Sequence, residues 1–346
     1  MNLVTVEKLI KEKNWTLIDV RTPAEFADEA IPGAINIPLL LDDERIDVGT
    51  AYKQVSPEKA KELGIEAIAK RLPGIFKEVQ AISNKGRLVF YCARGGMRSG
   101  SIAALFTALG YKCWKLDGGY RSYRNYILEE IPKLNEGIKY IVLHGKTGIG
   151  KTKVLQQLEA KGYNVLDLEK MADHKGSFFG ALCEARPQSQ KRFESLVFDY
   201  LNTNKPDYVL AESESKRIGN VYVPESIFDS LSQGEHLMLE TTIKTRVNII
   251  LEDYADANSE DMLKCIEKVG RYADKKDYEE YLKLFQDNKL AELSEILMVK
   301  YYDPLYQKSI DKYAYNCNVN YNTIEEAVEQ VEAYLNKNNI FPKEKI

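Results

Sequence analysis

The sequence has no run of about 18 uninterrupted apolar residues, the length a helix needs to cross a bilayer. Met1-Asn2-Leu3-Val4 passes straight into a polar helical pattern, without a charged and then apolar leader. A cytoplasmic protein with no membrane partner is therefore expected. Cysteine is sparse and scattered: Cys92, Cys113, Cys183, Cys265 and Cys317 are odd in number and offer neither a disulfide framework nor a Cys-x-x-Cys metal pair. Reduced thiols are the natural reading. Internal repeats and low-complexity tracts are also missing, so no repeat architecture is indicated. Nor is there an excess of positive charge. A net charge of −4 argues against indiscriminate nucleic-acid binding, although a local basic face fits within it.

What is present is the composition of an ordinary globular protein, 44% apolar and 29% charged, over 346 residues. At roughly 100–200 residues per domain, that length predicts two cores. Short apolar runs ending in turn signals alternate with amphipathic stretches in both halves, the pattern of strands and crossover helices in a parallel sheet. Leu17-Ile18-Asp19-Val20, Leu88-Val89-Phe90-Tyr91 and Cys113 to Leu116 read as strands of a first domain, and Ser99 to Leu109 as a helix stopped by Gly110. The period is lost around Ile131-Pro132-Lys133-Leu134-Asn135-Glu136-Gly137, which places a boundary between residues 1–134 and 135–346. The second domain starts with a strand at Tyr140, and its last hundred residues, rich in helix formers, are expected to pack as helices around its sheet.

The strand Leu88–Tyr91 runs into Cys92-Ala93-Arg94-Gly95-Gly96-Met97-Arg98 and then a helix. Glycines let backbone N–H groups point at one spot, a helix N-terminus adds partial positive charge, and Arg94 and Arg98 add full charges. Such a setting lowers a thiol pKa and stabilises an anion at the sulfur, so Cys92 is the candidate nucleophile, able to carry sulfur or selenium as a persulfide-like adduct. The other four cysteines lie in patterned segments without a cradle and read as core, with Cys113 the one to examine. The loop resembles the active loop of the rhodanese family. So does the upstream Ile18-Asp19-Val20-Arg21-x-x-x-Glu25-Phe26 with Ile31-Pro32-Gly33-Ala34-Ile35-Asn36-Ile37-Pro38. Asp19 and Arg21 are expected to brace the loop as an ion pair.

Tyr140 to His144 leads into Gly145-Lys146-Thr147-Gly148-Ile149-Gly150-Lys151-Thr152 and a helix, the Gly-x-x-x-x-Gly-Lys-Thr pattern in its strand-to-helix context. Backbone N–H groups there wrap a diphosphate, Lys151 neutralises it, and Thr152 is placed to ligate Mg2+. The acidic partner is expected at the end of a nearby buried strand, either Asp167 after Asn164-Val165-Leu166 or Glu212 after Tyr208-Val209-Leu210-Ala211, with Glu212 favoured for the dense signal around it, including Glu214. The expected fold class is thus α/β, a rhodanese-like parallel-sheet domain followed by a P-loop NTPase-like domain with added helices.

In this order and spacing the chain resembles the tRNA 2-selenouridine synthase family over nearly its whole length. Further segments carry the resemblance: Asp42-Asp43-Glu44-Arg45-x-x-Val48-Gly49-Thr50-x-Tyr52-Lys53-Gln54, Asp117-Gly118-Gly119-Tyr120, Leu166-Asp167-Leu168-Glu169, His174-Lys175-Gly176-Ser177-x-Phe179-Gly180, Glu212-x-Glu214-x-x-x-Ile218-Gly219 and Tyr302-Asp303-Pro304-x-Tyr306. One departure is Lys146, where the family often has glycine. The resemblance implies geranylation of a 5-substituted 2-thiouridine at the wobble position by geranyl diphosphate, and replacement of the sulfur by selenium from selenophosphate. It implies as partners the tRNA anticodon region and an enzyme supplying selenophosphate.

A tRNA substrate needs basic contacts and surfaces for stacking. The second domain offers Lys170, His174, Lys175, Arg186, Lys191, Arg192, Lys216, Arg217, Lys244 and Arg246 among Phe178, Phe179 and Phe193. His174, Arg186 and Arg217 are preferred, each beside a glycine or proline signal. Two other readings stand beside this one. The first is an ATP- or GTP-dependent kinase or hydrolase with a regulatory rhodanese domain; the second is a redox sensor whose phosphate loop binds a nucleotide.

Overall fold

The computed structural model describes residues 2–174, 188–253 and 259–343. The chain divides into two compact units, Met1–Lys133 with Ser189–Asp199, and Leu134–Gln188 with Tyr200–Ile346. Residues 189–199, which the sequence places in the second domain, thus group with the first. Side-chain chemistry explains it: Phe198 meets the rings of Tyr123 and Tyr126 edge-on at 6.3 and 6.0 Å, Arg124 pairs with Glu194, and Lys191 pairs with Glu29 at 2.6 Å.

Unit 1 is built on β1 (Asn2–Val4), β2 (Trp15–Asp19), β3 (Ile35–Asn36), β4 (Arg87–Tyr91) and β5 (Cys113–Leu116). They form one parallel sheet in the order β1-β5-β4-β2-β3. Leu88, Val89, Phe90 and Tyr91 are all buried, as a strand covered on both faces requires. The 26-residue helix Pro57–Ile82 starts sharply because Ser56 accepts the Lys59 N–H and Pro57 fills the first turn. It lays Ile75 and Val79 against Ile18, Phe90, Ile102 and Phe106 in the core. Asp19 lies opposite Tyr91 in the pairing of β2 with β4, so the residues after both strands emerge at one sheet edge. That edge carries Arg21 and Cys92.

Unit 2 contains β6 (Lys139–His144), β7 (Tyr208–Glu212), β8 (Arg217–Ile218), β9 (Val221–Tyr222), β10 (Glu235–Glu240) and β11 (Cys317–Asn320). The parallel sheet runs β11-β10-β6-β7, and β8 pairs antiparallel with β9. Helices Lys151–Ala160 and Ile324–Lys337 cover it, with Val154, Leu158, Val331 and Leu335 packed on Ile141, Leu143, Leu210 and Leu237. Farther along the chain, helices Ser259–Gly270, Lys275–Gln286 and Leu290–Leu297 share a cluster of Ile266, Val269, Tyr281, Leu293 and Leu297.

Two sequence expectations change here. Asn164–Leu166 is no full strand: Val165 makes a single parallel bridge to Leu210, between Gly162 at φ 98° and the helix cap Asp167. Conversely, β11 lies within the stretch expected to be helical. Cys-Asn-Val-Asn carries one buried apolar side chain, Val319, and so shows no alternation to read. Among the described residues no helix is long and apolar enough to cross a membrane. Phe198→Ala should cost about 3–5 kcal/mol, the usual loss for a fully packed aromatic. The check is the thermal midpoint of unit 1; an unaltered midpoint would mean that residues 189–199 add nothing to that unit.

Candidate functional site

Cys92 follows the buried β4 and is itself 3% exposed. Its sulfur accepts the Ser99 hydroxyl at 3.3 Å, and the backbone N–H groups of Ser99 and Arg94 also donate to it. Burial opposes the thiolate, yet these donors and the Arg98 charge outweigh it and hold the thiol below its ordinary pKa. The loop's shape depends on glycine. Gly95 has φ 60° and Gly119 φ 63°, and a Cβ on Gly119 would stand 2.2 Å from the Cys92 carbonyl oxygen and 2.3 Å from the Gly95 nitrogen. This closeness lets Tyr120 and Arg121 donate their N–H groups to the carbonyls of Cys92 and Ala93 at 2.9 and 3.0 Å. Gly96 ends the turn and caps the helix Met97–Ala108.

The two arginines behave differently. Arg94 is exposed, whereas Arg98 forks onto the Glu25 carboxylate at 2.6 and 3.2 Å. Glu25 also closes the capping box with Thr22, and Arg98 draws its carboxyl below the usual range against the effect of burial. Beneath the loop, Arg21 is 1% exposed and binds both oxygens of the fully buried Asp19, the Glu29 carboxylate at 3.2 Å and the face of Tyr120 at 4.3 Å. Cys113 is a core thiol of β5, pushed up to about 11 by burial. Sequence alone gives no contact signal for Ser99, and for Glu25 only its place in Ile18-Asp19-Val20-Arg21-x-x-x-Glu25-Phe26.

In unit 2 the phosphate loop links β6 to the helix Lys151–Ala160. Gly145, Gly148 and Gly150 all have positive φ, at 152°, 74° and 79°. A Cβ on them would meet Ile149, Ile250 and Ile324 at 2.9, 2.8 and 2.5 Å. Backbone conformation and packing therefore both demand glycine. The carbonyl of Thr147 accepts from the Arg246 Nε at 2.9 Å, and the carbonyl of Ile149 accepts from the Tyr321 hydroxyl. Arg246 is 4% exposed and forks onto Asp303 at 2.9 and 2.6 Å; Lys146 lies 3.5 Å from the same carboxylate. Arg246, a candidate RNA contact on sequence, is thus a buried brace, and Lys146 is drawn to the helix that starts at Asp303.

Lys151 donates to the Gly145 carbonyl at 3.3 Å and stands 3.9 Å from Glu212. Burial works against its charge, but Glu212, with Tyr306, Glu169 and Glu214, raises its pKa. Thr152 donates its hydroxyl to Glu212 at 2.6 Å. Asp167 instead accepts the Lys170 N–H as a helix cap and lines the cavity. Of the two acidic candidates, Glu212 is the one in contact with the loop. Glu169, Glu212 and Glu214 bring carboxylate oxygens within 4.8 Å of one another. Burial and the neighbouring Glu169 push Glu212 up to about 7, and burial with Glu169 and Glu212 raises Glu214. Hard oxygen donors beside a phosphate loop suit a magnesium ion, which would relieve that repulsion. The sequence carries no signal for Glu169 beyond its place in Leu166-Asp167-Leu168-Glu169.

The loop opens on a cavity of about 830 Å3 that includes His144, His174, Tyr306 and Tyr313. His174 packs on Gly219, whose added Cβ would touch its ring at 2.7 Å. Arg217 is exposed, donates to the Gly219 carbonyl at 2.9 Å and lies 5.7 Å from the centre of the Tyr222 ring. Arg186, Lys175, Phe178 and Phe179 fall outside the described residues. Phe193 is wholly buried and Lys191 is paired with Glu29, both within unit 1.

A parallel sheet with a cysteine loop at its strand ends, and a second with a glycine-rich phosphate loop, define a rhodanese-like domain joined to a P-loop domain. A family model described as a rhodanese-like domain matches residues 3–126, and one described as the tRNA 2-selenouridine synthase AAA domain matches 138–288. The tRNA 2-selenouridine synthase of Sulfurovum sp. is 31% identical over 336 residues, covering 87% of this chain and 90% of that protein. That of Hydrogenovibrio crunogenus is 32% identical over 332 residues, with the same two coverages. That of Nitrosomonas europaea is 36% identical over 250 residues, 69% of this chain and 63% of that protein. The chain belongs to the tRNA 2-selenouridine synthase family.

Two predictions test these geometries. Alkylation of Cys92 by iodoacetamide, followed by peptide mass spectrometry, should reach half its maximal rate at a lower pH in the folded protein than in urea, because the depressed pKa exposes thiolate earlier as pH rises. Ser99→Ala should move that midpoint upward by removing a donor to the anion; identical folded and unfolded midpoints would contradict the cradle. Arg246→Ala should cost about 3 kcal/mol, since it removes both forked bonds to Asp303 and leaves that carboxylate only the more distant Lys146. Urea unfolding of unit 2 measures it, and a loss within error of zero would remove the brace.

Proposed function

We propose that the protein is a tRNA-modifying transferase that geranylates a 5-substituted 2-thiouridine at the wobble position and then exchanges the sulfur for selenium from selenophosphate. One observation carries this reading: a single chain of this family holds two complete anion cradles, one around a thiol and one around a lysine. The relatives' name points to the product, and the two cradles suit the two co-substrates. A thiocarbonyl sulfur is a poor leaving group. Once its lone pair has attacked the first geranyl carbon, breaking the bond to diphosphate, and the ring N–H proton has been lost, the sulfur can depart as geranyl thiol. The selenium of selenophosphate attacks the same carbon as the geranyl thiolate leaves and takes up a proton, and water then splits the selenium–phosphorus bond and releases inorganic phosphate.

In this division of labour, the backbone N–H groups of Gly145 to Thr152 and the Lys151 ammonium take the diphosphate of geranyl diphosphate and favour its departure. A magnesium ion held by Glu212 and Thr152, with Glu169 and Glu214 nearby, would neutralise charge on the departing diphosphate. The Cys92 loop, with Arg94, Gly95, Gly96 and Arg98, receives the selenium-bearing anion, and Asp19 with Arg21 supports it from below. His174, Arg186 and Arg217 are assigned to the anticodon region of the tRNA. An enzyme that makes selenophosphate is the metabolic partner, in the cytoplasm.

The test is mass spectrometry of wobble nucleosides after thiolated tRNA is incubated with geranyl diphosphate and selenophosphate, separately and together. Lys151→Ala should lower geranylation by about 100-fold, the scale of losing one electrostatic stabiliser. Cys92→Ser should spare geranylation and abolish selenation. Normal selenation by Cys92→Ser, or normal geranylation by Lys151→Ala, overturns the corresponding half. Turnover of ATP or GTP without tRNA, and no modified nucleoside, would favour a kinase or hydrolase with a regulatory rhodanese domain.

A further inference from the structure

The cavity at the phosphate loop is two-faced. Part of its lining is ionisable, from Lys151, Asp167, Glu169, Glu212 and Glu214, with the Tyr306 phenol close enough to Lys151 and Glu214 to feel their charge; the apolar part comes from Leu305, Ile310 and Ile250, with the ring of Tyr313. Such a division suits a ligand with a charged head and a hydrocarbon tail.

The apolar stretch is held at a set distance from the cradle. The helix Asp303–Ile310 begins at the carboxylate that receives the Arg246 fork, and the Nε of the same guanidinium donates to Thr147 inside the phosphate loop. Two charge-assisted bonds to Asp303 and a third hydrogen bond to Thr147 therefore connect head site to wall. Behind the wall, Tyr313 packs on the rings of His144 and His236, with centroids 4.8 and 4.3 Å apart. His236 Nε2 faces the Ser232 carbonyl at 3.3 Å and so carries the proton; its Nδ1 accepts from His144 Nε2 at 2.8 Å. Both rings are neutral in this arrangement, so neither histidine puts a charge against Tyr313. Leu305 is 58% exposed although it borders a cavity, a large apolar side chain that the protein leaves for something else to cover.

We propose that Leu305 and Ile310, with Ile250 and Tyr313 behind them, form the subsite for the hydrocarbon tail of an allylic diphosphate and set the tail length that is accepted. The proposal rests on the reading of the phosphate loop as a prenyl-diphosphate site. Within it, Leu305 and Ile310 are specificity-determining residues: shortening them lengthens the accommodated tail, and enlarging Leu305 shortens it.

The experiment is an internal competition. The full-length chain, 2-thiouridine-containing tRNA and equal concentrations of dimethylallyl, geranyl and farnesyl diphosphates are mixed, and the S-alkylated nucleosides are quantified by mass spectrometry. Leu305→Trp should shift the product ratio toward dimethylallyl; Leu305→Ala and Ile310→Ala should shift it toward farnesyl. Each shift should be about 10-fold, the lower end of discrimination by one apolar group in a pocket. Because the ratio is read within one reaction, a general loss of activity does not alter it, and the exposed position of Leu305 keeps its variants folded. Wild-type alkylation with unchanged ratios in all three variants overturns the tail subsite and leaves the prenyl-diphosphate reading standing. No alkylated nucleoside from the wild type with any of the three overturns that reading, and the subsite with it.

Discussion

Backbone N–H groups can surround an anion only where no Cβ intrudes between neighbouring stretches of chain, and both loops of this protein are shaped by that constraint. Around Cys92 the loops at Gly95 and Gly119 approach so closely that any side chain on Gly119 would overlap the Cys92 carbonyl. Around Lys151, three glycines at positive φ back directly onto Ile149, Ile250 and Ile324. In each case the close approach also locks the loop, so the donors are aimed before a ligand arrives. Such preorganisation is what an anion site needs, since reorienting dipoles on binding would cost part of the interaction.

Charge is handled by the same economy in both units. Arg21 and Asp19 form a buried pair supported by Glu29 and Tyr120, and Arg246 and Asp303 form another that also reaches the phosphate loop. Each pair satisfies its own hydrogen bonds, which removes the penalty of a lone buried ion. The groups nearest the proposed ligands are less balanced. Glu212 and Glu214 sit with raised pKa values beside Lys151, and Cys92 with a lowered one beside Ser99. Perturbed groups beside satisfied braces are what the proposed chemistry draws on.

Much of the two sites could be read from the sequence because their signals are local. A buried strand, a glycine-rich turn and a helix start follow one another within about 15 residues in both loops. The parallel-sheet class was legible for the same reason, through Leu88–Tyr91 and Tyr140–His144. What escaped was non-local. Ser99 is seven residues from Cys92 but sits in a stretch that reads only as a helix, Glu169 stands in a segment that signals no contact with the phosphate loop, and Arg246 reads as one of several basic side chains on offer to RNA. Residues 189–199 gave no sign that their aromatic and charged side chains would pack with the first unit.

The sequence by itself determined which loops could exist: only Cys92 is followed within six residues by two glycines and two arginines, and only Gly145–Thr152 has the Gly-x-x-x-x-Gly-Lys-Thr spacing. Tertiary structure decided which side chains stand against them. Glu212 was placed on Thr152 and Asp167 on a helix cap, and Asp303 was brought 57 positions to Arg246 and over 150 to Lys146. The physical reason is that backbone conformation depends on a residue and its immediate neighbours. Pairing of buried charges depends on which strand ends and helix starts the sheet order brings together.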